Sequence, residues 1–189
     1  MHRLTYVLAA SVMAVLQVGC SDAGRMSEPQ ARSVARTSAR DLTPGDIHRV
    51  EIRDACDPAS FDAVFGLGTC VRAGGRNLTD FITEVSAKQE ADAWRFAPGN
   101  IDARVGEALL TINRGGEKHT FTEVKQFGGG TNAILNELSH NTVVAPECNT
   151  STLIAAGGTQ TDDLDEEGTE LYQCCIHPWM RTTVTIRAS

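Results

Sequence analysis

The spacing of apolar residues divides the chain into a helical part and a later β-rich part. An amphipathic helix is predicted over residues 78–89, where four apolar residues recur at i, i+3, i+4 and i+7: Leu78, Phe81, Ile82 and Val85. A second helix start is predicted at Asp57-Pro58, because a capping residue is followed by proline at the first helical position. The sequence therefore predicts a small N-terminal helical appendage over residues 47–92.

After this segment the pattern changes to short alternating or β-branched runs. Between Trp94 and Val124 these runs are separated by Pro-Gly, Gly-Glu and Gly-Gly pairs, which are typical of turns. The same pattern returns in NTVVAPE, TELYQC and TTVTIR, whereas FGGGTNAILNELSH at 127–140 predicts a loop with a short helix. Short strands spaced in this way predict an all-β sandwich over residues 93–189.

The first twenty residues, MHRLTYVLAASVMAVLQVGC, have a weakly basic start and an apolar run that is short for a membrane span of ~20 residues. We interpret residues 1–19 as an export signal, which is excluded from the fold. The LQVGC ending resembles a bacterial lipoprotein signal, although Leu16 lies one position further from the cysteine than that family prefers. Two interpretations stay open: lipidation of Cys20, or a plain secretory signal with an unmodified cysteine. If Cys20 is lipidated, Ser21 after it resembles the outer-membrane sorting pattern.

Residues 20–46 contain few large apolar side chains and many Ser, Ala and Arg. Such a segment cannot bury enough apolar surface to offset its conformational entropy, so it predicts a flexible tether. The chain is expected in the bacterial cell envelope, in the periplasm and anchored to the outer membrane through a lipid on Cys20. Export would also permit disulfides.

Composition and charge exclude some functions. With 41% hydrophobic and 22% charged residues the chain can form a packed core. A net charge of −7 without a basic patch argues against binding nucleic acid. The sequence has no nucleophile–base arrangement or paired acid motif, and the glycines at 128–130 lack the lysine and spacing of a phosphate-binding loop. We therefore do not expect an enzyme.

The stretch YQCCIHPWM, residues 172–180, concentrates residues that bind metals. A set of two histidines and one cysteine with a weak axial methionine defines a mononuclear electron-transfer copper site, whereas structural zinc sites do not use methionine. The second histidine must come from elsewhere in the chain. His48 at the tether border and His140 in an irregular segment are expected at the surface. His119 follows a Gly-Gly turn at the start of a β-type run and is the candidate ligand.

Together, TINRGGEKHTF and YQCCIHPWM resemble the cupredoxins, the small blue-copper proteins, and most closely their amicyanin and plastocyanin-like branch. The shortest ligand loop of that family reads Cys, two residues, His, Pro, one residue, Met, and its first histidine follows an asparagine by six positions, as at Asn113 here. The resemblance covers about residues 94–186. It implies four metal ligands: His119, Cys174, His177 and Met180.

The resemblance also implies a Greek-key β-sandwich that holds one type 1 copper per chain and passes single electrons between redox partner proteins. Backbone N–H groups near Asn113 and in the ligand loop are expected to donate to the thiolate. The ring edge of His177, with Pro178 and Trp179, is expected at the surface as the electron port, although Trp179 could instead fill core space. The alternative function is a copper-binding protein that buffers or delivers the metal without a dedicated electron-transfer role.

The two adjacent cysteines have different expected roles. Alternate residues of a strand share a face, so Tyr172 and Cys174 point one way and Cys175 the other. The family spacing selects Cys174 as the copper thiolate. Without Cys20 and Cys174, four cysteines remain, and an exported chain then suggests two disulfides. The favoured pairs are Cys56–Cys70 and Cys148–Cys175; other pairings, and a free buried thiol at Cys175, stay open.

Overall fold

The computed structural model describes residues 46–189, so the predicted export signal, Cys20 and nearly all of the predicted tether lie outside the described residues. The elements in chain order are: β1 Ile47–Arg53, α1 Pro58–Phe65, α2 Leu78–Lys88, β2 Arg95–Ala97, β3 Asn100–Arg104, β4 Ala108–Asn113, β5 Thr122–Val124, α3 Ala133–Leu138, a 3-10 helix Pro146–Thr150, β6 Thr159–Asp163, β7 Gly168–Gln173 and β8 Arg181–Arg187. Over this range no helix combines the length and the apolar character that crossing a bilayer requires.

The strands form two four-stranded sheets that pack as a sandwich. One sheet has the order β2-β1-β4-β6 and the other the order β3-β8-β7-β5. The pairs β1–β4 and β3–β8 are parallel, and the remaining pairs are antiparallel. The predicted all-β sandwich with a small helical part is confirmed.

Alternation along the strands builds the core. In β8 the side chains of Thr182, Val184 and Ile186 are buried, while those between them are partly exposed. In β3 the buried positions are Ile101 and Ala103. Because successive residues of a strand face opposite sides of the sheet, each strand contributes one apolar face to the space between the sheets.

The two predicted helices form where their capping signals indicate. The carboxylate of Asp57 accepts a hydrogen bond from the backbone N–H of Ser60 at the start of α1. Asn77 caps α2 in the same way, and α2 ends at Lys88, before the capping residue Gln89, which adopts the left-handed conformation with φ 65°. The buried residues Phe81 and Val85 direct α2 onto the sandwich.

Two segments differ from the prediction. Ile47–Arg53, assigned from sequence to the helical appendage, is a strand at the interior of the first sheet, pairing with β2 on one side and β4 on the other. The helical appendage therefore consists of α1, α2 and the loop joining them. NTVVAPE forms one bridge, at Val144, instead of a strand, because it leads directly into the 3-10 helix that begins at Pro146.

Candidate metal centre

Three side chains from two distant segments meet in the core of the sandwich. The Nδ1 atoms of His119 and His177 lie 3.7 and 3.8 Å from Sγ of Cys174. The three residues are 0–2% exposed, and their ligand atoms lie within 4.8 Å of one another. The arrangement is a water-shielded cluster of one sulfur and two nitrogens, a donor set suited to a soft or borderline metal ion.

The position of His119 is fixed by the loop that follows β4. Its backbone exchanges two hydrogen bonds with Ile154, at 3.1 and 2.7 Å. Asn113, which is fully buried at the end of β4, donates from its side chain to the carbonyl groups of Glu117 and Ile154 and accepts from the N–H of Gly115. Asn113 thus closes the loop between β4 and His119 and fixes the position of the backbone at His119.

The segment from Cys174 to Met180 closes on itself. The N–H of Cys174 donates to the carbonyl of Met180, and the N–H of Met180 donates to the carbonyl of His177, both at 3.0 Å. Met180 is 1% exposed and belongs to the main core cluster. The four predicted ligand residues are therefore all buried, three of them within one tight loop.

The other ring nitrogen of His119 is held by a carboxylate. Nε2 of His119 lies 2.9 Å from Oδ2 of Asp54, and both side chains are almost fully enclosed. Asp54 also accepts hydrogen bonds from the N–H groups of Cys56, Gly116 and Glu117. Burial would raise the pKa of Asp54, but the bonds to His119 and to the backbone outweigh burial and lower the pKa to about 2. A carboxylate in this position fixes the ring so that Nδ1 faces the sulfur.

A second carboxylate lies next to His177. Oε2 of Glu117 accepts a hydrogen bond from Nε1 of Trp94 at 2.5 Å and lies 3.8 Å from Nε2 of His177. Glu117 itself is 8% exposed. Each imidazole therefore faces the sulfur with one nitrogen and a carboxylate with the other. Asp54, Glu117 and His119 also form a second cluster of potential ligands, but both oxygens of Asp54 already accept hydrogen bonds from His119 and the backbone.

The charges around the sulfur favour a thiolate. Burial raises the pKa of the Cys174 thiol, but the contacts with His119 and His177 outweigh it and hold this pKa well below its usual range. Burial lowers the pKa of His119, whereas its bonds to Asp54 and Cys174 raise it to about 10. In the metal-free protein the Cys174 thiolate, the protonated ring of His119 and the Asp54 carboxylate thus form a line of alternating charge.

Two expectations about the surroundings of the centre need correction. Among residues 46–189 the polar partners of the Cys174 sulfur are the two imidazoles, and no backbone N–H donates to it. The ring of His177 does not reach the surface, because α2 places Phe81 edge-on over it at 6.1 Å between ring centroids. Trp179 is partly exposed, packs on the core and donates from Nε1 to the carbonyl of Trp94.

The remaining cysteines are paired. The structure joins Cys56 to Cys70 and Cys148 to Cys175, the pairs that the sequence favoured. Cys174 is the free cysteine of the described range. It lies in the main core cluster with Tyr172, whereas Cys175 lies in a smaller cluster with Cys148, as the alternation of faces predicts. These disulfides fit an oxidising compartment.

The glycines that precede α3 approach this part of the site closely. A Cβ on Gly130 would collide with the backbone of Cys175, and the carbonyl of Cys175 accepts hydrogen bonds from the N–H and hydroxyl groups of Thr131. The sequence predicted a loop with a short helix in this stretch and no contact with the ligand segment. Its glycines allow the turn to pack directly against the residue next to Cys174.

Sequence analysis missed Asp54 and Glu117. Asp54 lies 65 residues before His119 and in a segment assigned to the appendage. Glu117 could have been proposed from sequence, because it lies only two residues before the predicted ligand His119. The other histidines lie apart from the centre: His48 pairs with Glu107 at 2.6 Å, and His140 is exposed.

Comparisons with known proteins find similarity only among solved structures. No protein-family model and no curated protein matches the sequence. The purple cupredoxin from Nitrosopumilus maritimus is 14% identical over 74% of this chain and 98% of its own, with a TM-score of 0.42. A copper(I) form of an amicyanin mutant is 18% identical over 51% of this chain and 76% of its own, with a TM-score of 0.36. These neighbours are cupredoxins, the family that the sequence motifs resemble.

Proposed function

We propose that this protein is a type 1 copper protein that carries single electrons between redox partner proteins. The observation that carries the proposal is the cluster of Cys174 with the Nδ1 atoms of two buried histidines. His119, Cys174 and His177 would hold the metal, with Met180 as a weak axial ligand, a set typical of blue-copper sites. Copper, when bound, supplies a one-electron couple.

The spacing of the donors fits one metal ion. Metal–nitrogen and metal–sulfur bonds of roughly 2.0 and 2.3 Å, the values for zinc, separate nitrogen from sulfur by roughly 3.7 Å when they meet at about 120°. The separations of 3.7 and 3.8 Å between Sγ of Cys174 and the two Nδ1 atoms match this value. The spacing thus fits three donors that meet at one metal ion, as the donor set of a blue-copper site requires.

The protein residues prepare the centre before metal arrives. The metal would displace the Nδ1 proton of His119, and Asp54 keeps the remaining proton on Nε2, so that the Nδ1 lone pair is directed at the site. The imidazoles favour the thiolate form of Cys174, which is the form that binds metals. Loop closure between Cys174 and Met180 and the neighbouring Cys148–Cys175 disulfide restrict movement of these donors. A rigid, dry donor set keeps reorganisation small, which suits electron transfer.

Enclosure of the donors favours a carrier over a delivery protein. The ligand residues are 0–2% exposed, so an acceptor protein could not reach the sulfur to exchange ligands without opening the fold. The same enclosure supports a carrier over an enzyme, because a substrate would have no direct access to the donor atoms. Electrons can pass through packed side chains, whereas copper ions cannot.

The proposed location is the bacterial cell envelope. An export-type segment at residues 1–19 and a lipid on Cys20, followed by a tether to residue 46, would hold the domain at the outer membrane. Two disulfides support an oxidising compartment. The domain would then meet its redox partners in the periplasm.

Copper titration tests the function. The exported protein should bind one copper per chain and show an intense visible copper–thiolate band that disappears on reduction and returns on reoxidation. Cys174→Ser should abolish the band, while the matched variant Cys175→Ser should keep it because that residue lies on the opposite face. A colourless copper complex, or loss of the band in Cys175→Ser alone, would contradict the proposal.

A further inference from the structure

A cavity of about 380 Å³ opens beside His177, between the helical appendage and α3. Its walls are mainly apolar and aromatic: Phe61, Phe65, Phe81, Ile134, Leu135 and Ile176. It reaches the surface at Phe65 and Ile134, which are 58% and 67% exposed. Small-molecule sites span roughly 300–1,000 Å³, and an apolar cavity of roughly 150 Å³ already holds benzene. A substituted aromatic ring therefore fits this cavity.

The cavity contains one buried charge, the carboxylate of Glu117. Its Oε2 accepts from Trp94 and faces His177. Among residues 46–189 no hydrogen bond reaches its Oε1, and this atom is not one of the enclosed oxygens without a partner. It is therefore open to solvent and can accept from a ligand in the cavity. A ligand that displaces water from this oxygen must supply a donor in its place, because an unpaired polar group in an apolar cavity is costly.

The other polar groups of the lining are already engaged or point to solvent. Thr69 donates its hydroxyl to the carbonyl of Gly66. The side-chain oxygen of Asn132 caps α3 by accepting from two backbone N–H groups. Lys118 is exposed at the rim. The cavity thus offers an apolar interior with one strong acceptor.

We propose that this cavity is a binding site for a small neutral aromatic molecule with a hydroxyl group, of the phenol class. The hydroxyl would donate to Glu117 and the ring would occupy the space among the phenylalanine side chains. A phenol has one strong donor, which matches the single free acceptor, whereas an ammonium group has three and would leave two unmet. An anion would be repelled by Glu117, and a plain hydrocarbon would leave the carboxylate without a donor. The site stands on these residues alone and does not depend on a metal.

Nuclear magnetic resonance titration tests the proposal on the exported protein, metal-free and in the copper(I) form. The probes are para-cresol, its methyl ether para-methylanisole, and benzylammonium. We expect saturable shifts of the Trp94 indole N–H and of backbone amides at Phe81 and Ile176. Para-cresol should bind roughly tenfold more tightly than the ether, since only the former donates a hydrogen bond to a charged acceptor. It should also bind more tightly than benzylammonium.

Two exposed positions provide a blocking variant and its control. Ile134→Trp should fill the mouth and weaken para-cresol binding at least tenfold, whereas Val143→Trp, at a residue 80% exposed and outside this cavity, should leave it unchanged. Glu117→Gln should reduce the preference for para-cresol over its ether. Absence of saturable binding, equal affinity for the ether, preference for benzylammonium, or insensitivity to Ile134→Trp would each overturn the proposal.

Discussion

Replacement of Asp54 by asparagine should loosen the network that holds His119. The two carboxylate oxygens together accept four hydrogen bonds, three from backbone N–H groups and one from the His119 ring. Asparagine keeps one acceptor oxygen and presents an NH₂ group to the other donors. Two donors therefore lose their acceptor whichever way the amide is oriented.

The magnitude follows from the pKa of Asp54, which falls from 3.8 to about 2 on folding. Each pKa unit corresponds to about 1.4 kcal/mol, so the ionised carboxylate stabilises the metal-free fold by roughly 2 kcal/mol. Donors left without an acceptor add about 1–3 kcal/mol. We expect Asp54→Asn to lower the free energy of unfolding by about 3–5 kcal/mol and to weaken copper binding roughly 10–100-fold.

The pH dependence of the metal-free protein gives a second signature. The contribution of Asp54 is complete above pH 3.8 and is lost as the pH falls through about 2. The contribution of His119 is complete below pH 6.5 and is lost as the pH rises through about 10. The pair therefore stabilises the fold most between these ordinary pKa values. Asp54→Asn should abolish the loss of stability near pH 2 that Asp54 causes, and it should reduce the loss of stability at alkaline pH that His119 causes.

Urea unfolding of the metal-free protein from pH 2 to 10, with competitive copper titrations, measures both effects. The matched control is Asp102→Asn, because the side chain of Asp102 is 75% exposed and its ion-pair partner within residues 46–189 is the exposed Arg187. That control should change stability by less than about 0.5 kcal/mol. Equal stability and copper affinity of Asp54→Asn and the control would refute the role assigned to Asp54.

Three further changes have defined outcomes. Gly115→Ala should destabilise the protein by about 1–3 kcal/mol in urea unfolding, because the added Cβ would collide with the carboxylate of Asp54; unchanged stability would contradict the packing. Phe81→Ala should lower the free energy of unfolding by about 3–5 kcal/mol and speed hydrogen exchange in the appendage, since Phe81 is 3% exposed and packs on the ring of His177. An unaltered exchange pattern would argue against the role of Phe81 in covering His177. Joint replacement of Cys148 and Cys175 by alanine should lower the free energy of unfolding by about 3–4 kcal/mol, because the disulfide closes a loop with a sequence separation of 27. Thermal unfolding measures this loss, and an unchanged melting temperature would contradict a stabilising role for the disulfide.

Some parts of the fold could be predicted because their signals are local. The apolar stripe and cap of α2 lie within one short segment, and its predicted end at residue 89 differs by one position from the observed end at Lys88. The spacing of Cys174, His177 and Met180 is likewise contained in seven residues. The alternation of faces correctly separated Cys174 from Cys175.

Other parts depend on pairing between distant segments. The helix signal directly after β1 led to the assignment of this strand to the appendage. Its parallel register with β4, in which Ile52 is opposite Asn113, brings Asp54 beside the loop that precedes His119. Local sequence contains no signal for that register. The burial of His177 was missed for the same reason, since it depends on where α2 docks.

X-ray absorption at the copper edge of the loaded protein tests the central claim most directly. We expect one closely bound sulfur and two imidazole nitrogens in the copper shell, with the close sulfur lost in Cys174→Ser. A copper shell with no short sulfur, or with two or more short sulfurs, would contradict it.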